Sequence, residues 1–389
     1  MQLRPHQLEA LDKMNTKRLG QVIVPTGGGK TMCMIEDAKK RFTQSSLPQT
    51  IVVVAPRILL ASQLSAEFLE FITDVDVIHV HSGETHHKST TKADELEYMV
   101  NNSTENLLIF TTYHSLHRVE ETGIEVDTIY FDEAHNSVQK NFYPATDYFS
   151  RNADRCYFFT ATPKHSRTGE KAGMNWSKTY GNVICQIPAP RLVKQGYILP
   201  PKVQVYKSRI LKKDELVADR DNEQMIDAID NLDKDKVLIC AKSTRQIVAL
   251  TSQTDFVKQL AVRGYSYMYI TAKTGAVIDG EKVDRESFFD TLNEWGRNGK
   301  RFVVLHHSIL SEGINVNGLE AVLFMRSMDY IGISQTIGRV IRKGNADKVF
   351  GLVCIPVYSN VGISTARKVE AVVDTIFNKG EAATSIVNS

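Results

Sequence analysis

Val24-Pro25-Thr26-Gly27-Gly28-Gly29-Lys30-Thr31 is the stretch from which the rest of the chain is read. A short apolar run, Gln21 to Val24 with Ile23 at its centre, precedes it, and a helical pattern from Met32 to Phe42 follows. Strand, glycine turn and helix start form the setting of a phosphate-binding loop. Small residues let backbone N–H groups converge on a polyphosphate, and the helix N-terminus adds partial positive charge. Lys30 then reaches the β- and γ-phosphates, and the Thr31 hydroxyl ligates Mg²⁺. One position departs from the strict pattern, since Val24 stands where the first glycine belongs. A glycine-rich turn with a chance Lys-Thr behind it is the bland alternative, and the remaining chain has to decide between them.

At 389 residues the chain has room for two or three domains, each able to bury a core. Hydrophobic and charged fractions of 42% and 24% are those of an ordinary soluble protein. A net charge of +2 neither argues for nor excludes nucleic acid, because a basic groove can sit on a nearly neutral protein. The five cysteines (Cys33, Cys156, Cys185, Cys240, Cys354) form no CxxC pair, and four lie in or beside apolar runs. That usage fits reduced core thiols, not a zinc site or a disulfide framework. Met1-Gln2-Leu3-Arg4-Pro5 lacks the apolar core of a signal peptide, and the longest apolar runs are of strand length. The chain reads as cytoplasmic, with no membrane segment.

Outward from the loop, residues 3–19 carry a helical pattern. Ile51-Val52-Val53-Val54-Ala55, ended by Pro56, suits a parallel strand buried on both faces. Further strands are expected at 75–80, 107–111, 126–131 and 156–159, with helices between. Such alternation indicates a parallel α/β sheet, whose ligands sit beyond the carboxyl ends of the strands. The prolines of Ile187-Pro188-Ala189-Pro190 and Leu199-Pro200-Pro201 mark a domain boundary. The expectation is therefore a first domain over 1–188, a linker over 189–204 and a second α/β domain over 205–389. Strands are expected there at 237–240, 267–270, 302–305, 321–325 and 349–355, and a solvated helix and loop over the Asp- and Lys-rich 211–235. The second half has no glycine-lysine loop, so one nucleotide site is expected.

Two further stretches carry chemistry. Asp132-Glu133-Ala134-His135 follows a strand directly. Hydrolysis of a γ-phosphate needs one carboxylate to hold Mg²⁺ and another group to orient the attacking water. Asp132 suits the metal and Glu133 the water, against the plain alternative of an acidic turn. In Gln335-Thr336-Ile337-Gly338-Arg339-Val340-Ile341-Arg342, the two arginines share one face if the segment is helical. A solvated basic surface is the bland reading. Cations brought to the γ-phosphate would instead stabilise transition-state charge from a second domain across a nucleotide cleft.

These residues carry a resemblance to the superfamily 2 helicase and translocase core, of the UvsW-like and ResIII-like kind. Leu3 to Gln7 resembles the adenine-reading Q-type motif and Val24 to Thr31 motif I, where the family tolerates a non-glycine first position. Val54 to Arg57 with Gln63 resembles motif Ia, and Thr111 to Ser115 motif Ib. Asp132 to His135 is similar to a DEAH-type motif II, and Thr160-Ala161-Thr162 to motif III. Leu192 to Pro200 resembles the interdomain segment, Ile239 to Ser243 motif IV, Ser311 to Asn315 motif V and Gln335 to Arg342 motif VI. Nine motifs in order across residues 3–345, with the interdomain segment between them, make the resemblance specific.

The resemblance implies two tandem RecA-like parallel-sheet domains with ATP and Mg²⁺ in an interdomain cleft. Lys30, Asp132, Glu133, Gln335, Arg339 and Arg342 would be catalytic. Arg4, Gln7, Thr26, Gly27, Gly28, Gly29, Lys30, Thr31, Gly313 and Asn315 would hold the nucleotide, with Thr31 and Asp132 on the metal. His135, Thr160 and Thr162 would couple hydrolysis to domain movement. Arg57, Gly83, Thr112, Ser115, Lys242 and Ser243 would grip nucleic acid through its backbone, as cations and small hydroxyls do. The implied activity is a nucleic-acid-stimulated ATPase that translocates on DNA and unwinds or remodels it, acting as a monomer. The alternatives are an RNA-remodelling ATPase, or a motor subunit whose protein partner supplies strand separation.

Overall fold

The structure, a computed structural model, describes residues 2–83, 85–207, 212–271, 273–307, 318–326, 328–343, 348, 350–357 and 360–387. Two compact units make up the chain. The first runs to Pro188 and is taken up again at Ala382, and the second is Ala189–Glu381.

The first unit is built from helices α1 (Pro5–Thr16), α2 (Lys30–Gln44), α3 (Ile58–Leu69), α4 (Ala93–Asn101), α5 (Leu116–Glu121), α6 (Tyr143–Asn152) and α7 (Ser177–Tyr180). Its strands are β1 (Leu19–Ile23), β2 (Thr50–Ala55), β3 (Val75–Val80), β4 (Lys88–Ser89), β5 (Asn106–Thr112), β6 (Thr128–Phe131), β7 (Arg155–Thr160), β8 (Lys164–His165) and β9 (Val183–Gln186). All but β8 join one sheet in the order β4-β3-β5-β2-β6-β7-β1-β9. Every pairing within it is parallel. β2 is buried from Ile51 onward, as its unbroken apolar run requires of a central strand. Phe131 of β6 stacks on Phe158 of β7 at 4.8 Å, within a core that includes Val52, Val54, Ile109 and Phe149. Burying a phenylalanine contributes roughly 1.5–3 kcal/mol, so this pair helps fix the register of two strands that end in the site. The order β6-β7-β1 is what matters for chemistry. It sets the strand before the glycine loop and the strand before Asp132 on either side of β7, which ends at Thr160.

The second unit holds α8 (Ala189–Lys194), β10 (Pro201–Lys207), α9 (Val217–Leu232), β11 (Lys236–Cys240), α10 (Thr244–Gln253), α11 (Phe256–Val262), β12 (Ser266–Thr271), β13 (Gly275–Ile278), β14 (Glu281–Val283) and α12 (Arg285–Arg297). β15 (Phe302–His306), β16 (Ala321–Phe324), α13 (Tyr330–Val340), β17 (Gly351–Val357) and α14 (Asn360–Val373) complete it. The sheet order is β10-β17-β16-β11-β15-β12-β13-β14, parallel except for the β12-β13-β14 meander at one edge. Its core gathers Met225, Ile229, Ile239, Val303, Leu305 and Leu323. Beyond α14 and a π-helical turn, Asp374–Asn378, the chain rejoins the first unit, where β18 (Ser385–Ile386) pairs with β8.

Three expectations differ from what is found. The stretch expected as a linker over 189–204 contains α8 and the start of β10, which pairs with β17 along its whole length. Pro201 opens that strand, and β10 lies at the sheet edge, a position in which a missing N–H breaks no ladder. The end of the chain, expected with the second domain, joins the first through β18. The Asp-rich 211–235 segment is not a solvated helix. α9 buries Met225, Ile226, Ile229 and Leu232, together with Arg220, Asp221, Asn222 and Gln224.

All five cysteines are free and buried, and burial pushes the Cys33, Cys240 and Cys354 thiols up to about 12. Among the described residues no helix is long and apolar enough to cross a membrane.

Candidate active site

The glycine loop follows β1 directly and ends where α2 begins at Lys30. Gly27 and Gly29 hold φ of 83° and 84°, in the left-handed region open to glycine. A Cβ on Gly29 would lie 2.5 Å from Gln7 Nε2. Val24 N–H donates to Thr160 O at 3.0 Å, tying the loop to the end of β7, and Gly28 N–H donates to Pro25 O at 2.9 Å. α1 supports the loop from behind. His6 Nε2 donates to Gly28 O at 2.7 Å, and Gln7 Nε2 donates to Gly29 O at 3.2 Å, while Gln7 Oε1 accepts from Arg4 N–H at 2.9 Å. Gln7, expected at adenine, thus joins the backbone of Arg4 to that of the loop. His6 was not singled out by sequence, because a lone histidine on a helix carries no motif.

Lys30 Nζ lies 3.1 Å from Glu133 Oε1, with both side chains about nine-tenths buried. Glu133 has φ 45° and ψ 53°, a left-handed conformation that costs a non-glycine residue roughly 1–2 kcal/mol. It turns the chain sharply from β6 into the 3₁₀ turn Ala134–Asn136. Asn136 Nδ2 donates to Glu133 O at 2.9 Å, and Tyr113 OH donates to Asp132 O at 2.8 Å, which holds that turn. Burial, followed by the neighbouring Glu133 charge, pushes the Asp132 carboxyl up to about 7, while Lys30 acts in the opposite direction. His135 Nδ1 is 3.0 Å from Thr160 Oγ1 and 3.5 Å from Thr162 Oγ1, and Thr162 N–H donates to Thr160 Oγ1 at 3.1 Å. Three stretches far apart in sequence therefore form one hydrogen-bonded cluster at the carboxyl ends of β1, β6 and β7.

The donors available to a cation there are oxygens, the Thr31 hydroxyl and the Asp132 carboxylate, which suit a hard ion such as Mg²⁺. Burial is the larger cause of the raised proton affinity of Asp132, and the Glu133 charge that adds to it is the part that would draw such an ion. Thr26 Oγ1 in the same loop is buried with no hydrogen-bond partner among the described residues, a polar atom open to a phosphate or its ion.

Arg57, Gly83, Thr112 and Ser115 fall at or just beyond the carboxyl ends of β2, β3 and β5, which are neighbours in the sheet. Arg57 is exposed and occupies the N-cap position of α3, with no side-chain cap bond among the described residues. A Cβ on Gly83 would lie 2.4 Å from Ile58 Cγ2, so this backbone packs tightly against the start of α3. Thr112 Oγ1 donates to Ser115 Oγ at 3.4 Å, and Thr112 itself is buried.

In the second unit, Lys242 and Ser243 follow β11. Ser243 Oγ caps α10 by accepting from Gln246 N–H at 3.1 Å. Lys242 N–H donates to Gln246 Oε1 at 2.7 Å, and its Nζ lies 3.6 Å from Asp221 Oδ1. Gln246 Nε2 and Arg220 Nη2 also donate to the Asp221 carboxylate. This anchor on α9 was hidden in sequence by the assumption that an acidic stretch is solvated. Gln335 and Arg339 are buried on α13. His306 Nε2 lies 3.2 Å from Cys240 Sγ, and burial, then the Arg339 and Arg326 charges, hold the His306 imidazole well below its ordinary range. The single helical face expected for Arg339 and Arg342 does not exist. α13 ends at Val340, and Arg342 lies beyond it in an isolated antiparallel bridge to Ile198, because Leu199 N–H takes the Ile341 carbonyl at 2.8 Å. Gly313 and Asn315 lie outside the described residues.

A glycine loop opening a helix, an acidic pair two strands away and a second parallel α/β unit define a phosphate-loop nucleoside triphosphatase with a partner domain. Residues 1–165 match the family model of the type III restriction enzyme res subunit, and residues 221–344 match the helicase conserved C-terminal domain. The two matches, in this order, are the two halves of a superfamily 2 helicase core, an ATP-hydrolysing class. No curated protein matches it significantly. Among solved structures, the ATP-dependent type ISP restriction-modification enzyme LlaBIII bound to DNA is similar over 100% of this chain and 31% of its own, with a TM-score of 0.75 and 16% identity. A nuclease-deletion mutant of the type ISP enzyme LlaGI, in complex with a DNA substrate mimic, is similar over 99% of this chain and 30% of its own, with a TM-score of 0.68 and 18% identity. The chain thus spans about a third of either enzyme, and likeness at such identity concerns the fold.

Proposed function

We propose that the chain is a nucleic-acid-stimulated ATPase that translocates on DNA and unwinds or remodels it. The observation that carries this reading is the Lys30–Glu133 pair at 3.1 Å beside buried Asp132, joined through His135 to Thr160 and Thr162. In the resting arrangement Lys30 occupies the carboxylate that would serve as base. A polyphosphate in the Gly27–Gly29 loop competes for the Lys30 ammonium, and Glu133 is released to orient a water and accept its proton as the γ-phosphate is attacked. Thr31 and Asp132 would hold Mg²⁺, which when bound neutralises charge on the polyphosphate. Gln335, Arg339 and Arg342 would meet the γ-phosphate from the second unit, so that closure of the two units and hydrolysis depend on each other. Loss of the γ-phosphate changes the His135 contacts with Thr160 and Thr162 and passes the event to the strand-holding loops.

DNA is favoured over RNA because the similar restriction enzymes are solved on DNA or its mimic. Grip would come through the backbone at Arg57, Gly83, Thr112, Ser115, Lys242 and Ser243. Parting a duplex also needs a wedge, which a partner would supply. Steady-state ATPase of Glu133→Gln tests the assignment. Turnover should fall on the order of 10²–10⁴-fold while ATP binding persists. An unchanged rate would remove Glu133 from the role of base.

A further inference from the structure

A cleft of about 420 Å³ in the second unit is lined by Tyr330, Ile363, Ser364, Arg367 and Lys368, none of which the reading above uses. Tyr330 opens α13 and the other four lie in the first turns of α14. These helices follow β16 and β17, which run parallel to β11, so the cleft stands at the sheet pole where β11 delivers Lys242 and Ser243. Ile363, Ser364, Arg367 and Lys368 sit at i, i+1, i+4 and i+5, one face of the helix.

The lining has a consistent chemistry. Tyr330 is 40% exposed and Ile363 42%, flanked by two cations and a hydroxyl, with no acidic side chain among the lining residues. The carboxylate next in sequence, Asp329, is occupied as the cap of α13, accepting from Gly332 N–H at 2.8 Å. An open aromatic face beside cations is how proteins hold single strands, with bases stacking on the ring and phosphates meeting the charges. The volume falls within the range of small-ligand clefts, of the size of one nucleotide and too small for a duplex.

We propose that this cleft is a strand-binding subsite, taking one nucleotide of single-stranded nucleic acid with its base on Tyr330 and its phosphates at Arg367 and Lys368. It rests on reading the chain as a nucleic-acid motor. The test is fluorescence anisotropy with a labelled oligothymidylate over a range of salt, joined to photocrosslinking of a bromodeoxyuridine-substituted strand to the unaltered chain. Tyr330→Ala should weaken binding on the order of tenfold, and Tyr330→Phe should restore it. Arg367→Gln with Lys368→Gln should flatten the slope of log affinity against log salt by about 1.4, at about 0.7 per lost phosphate contact on a single strand. Crosslinks should map to the peptide holding Tyr330. If Tyr330→Ala binds as the unaltered chain does, the salt slope is unmoved and Arg57→Gln still weakens binding, the subsite is refuted and the motor reading stands. If the unaltered chain binds no oligonucleotide, both fall.

Discussion

Glu133 and Gly29 both depend on left-handed backbone, and they answer to substitution differently. At Gly29 any side chain meets φ of 84° and the Gln7 amide together. Gly29→Ala should destabilise the first unit by about 1–3 kcal/mol and raise the KM for ATP, as urea unfolding and steady-state kinetics would read. Behind α2, Tyr130 OH donates to Asp37 Oδ2 at 2.7 Å, and Arg41 Nη2 holds Asp37 Oδ1 at 2.8 Å. Tyr130→Phe leaves a buried carboxylate one donor short and should cost about 1–3 kcal/mol in urea unfolding. The glycine loop and the acidic pair were legible in sequence because their chemistry is local to a few consecutive residues. The Lys30–Glu133 pair was not, since it follows from the strand order that places β6 and β1 on either side of β7.

Among the elements, β3 carries a directed hydrogen-bond chain. Gly83 N–H donates to His81 Nδ1 at 3.1 Å, so neutral His81 bears its proton on Nε2 and donates to His79 Nδ1 at 3.0 Å. That leaves His79 Nε2–H for Ser65 Oγ at 3.0 Å. Burial, then the neighbouring His81 and His87, push the His79 imidazole down to about 4. The folded value lies below the ordinary 6.5, so the unfolded chain takes up the proton first as pH falls. Stability contributed by neutral His79 is complete above pH 6.5 and is lost progressively towards pH 4. Melting temperature should drop across that window, and His79→Asn should flatten the drop; an equally steep fall in the variant would contradict the chain. Strands with unbroken apolar runs, β2 and β11 among them, were legible because both faces are buried. β10 and α9 depart from expectation for two reasons: the prolines that mark a domain boundary also open an edge strand, and the acids of a stretch expected to be solvated include the buried Asp221 anchor.

At the scale of the molecule, the proposed function draws on Arg339 and Arg342 of the second unit as cations for the γ-phosphate. Arg342→Ala should leave ATP affinity within a few-fold and remove most turnover, a split that nucleotide-binding and single-turnover measurements resolve. Two α/β units in tandem were legible from the strand-helix rhythm and the proline-rich boundary, whereas the return of β18 to the first unit has no local signal. In the proposed function, hydrolysis is coupled to a nucleic-acid strand. Steady-state ATP hydrolysis by the unaltered chain, titrated in parallel with single-stranded DNA and RNA, tests it most directly. The expected result is a saturable rise in rate with DNA, weaker with RNA and suppressed by added salt. A rate that no DNA or RNA alters would contradict it.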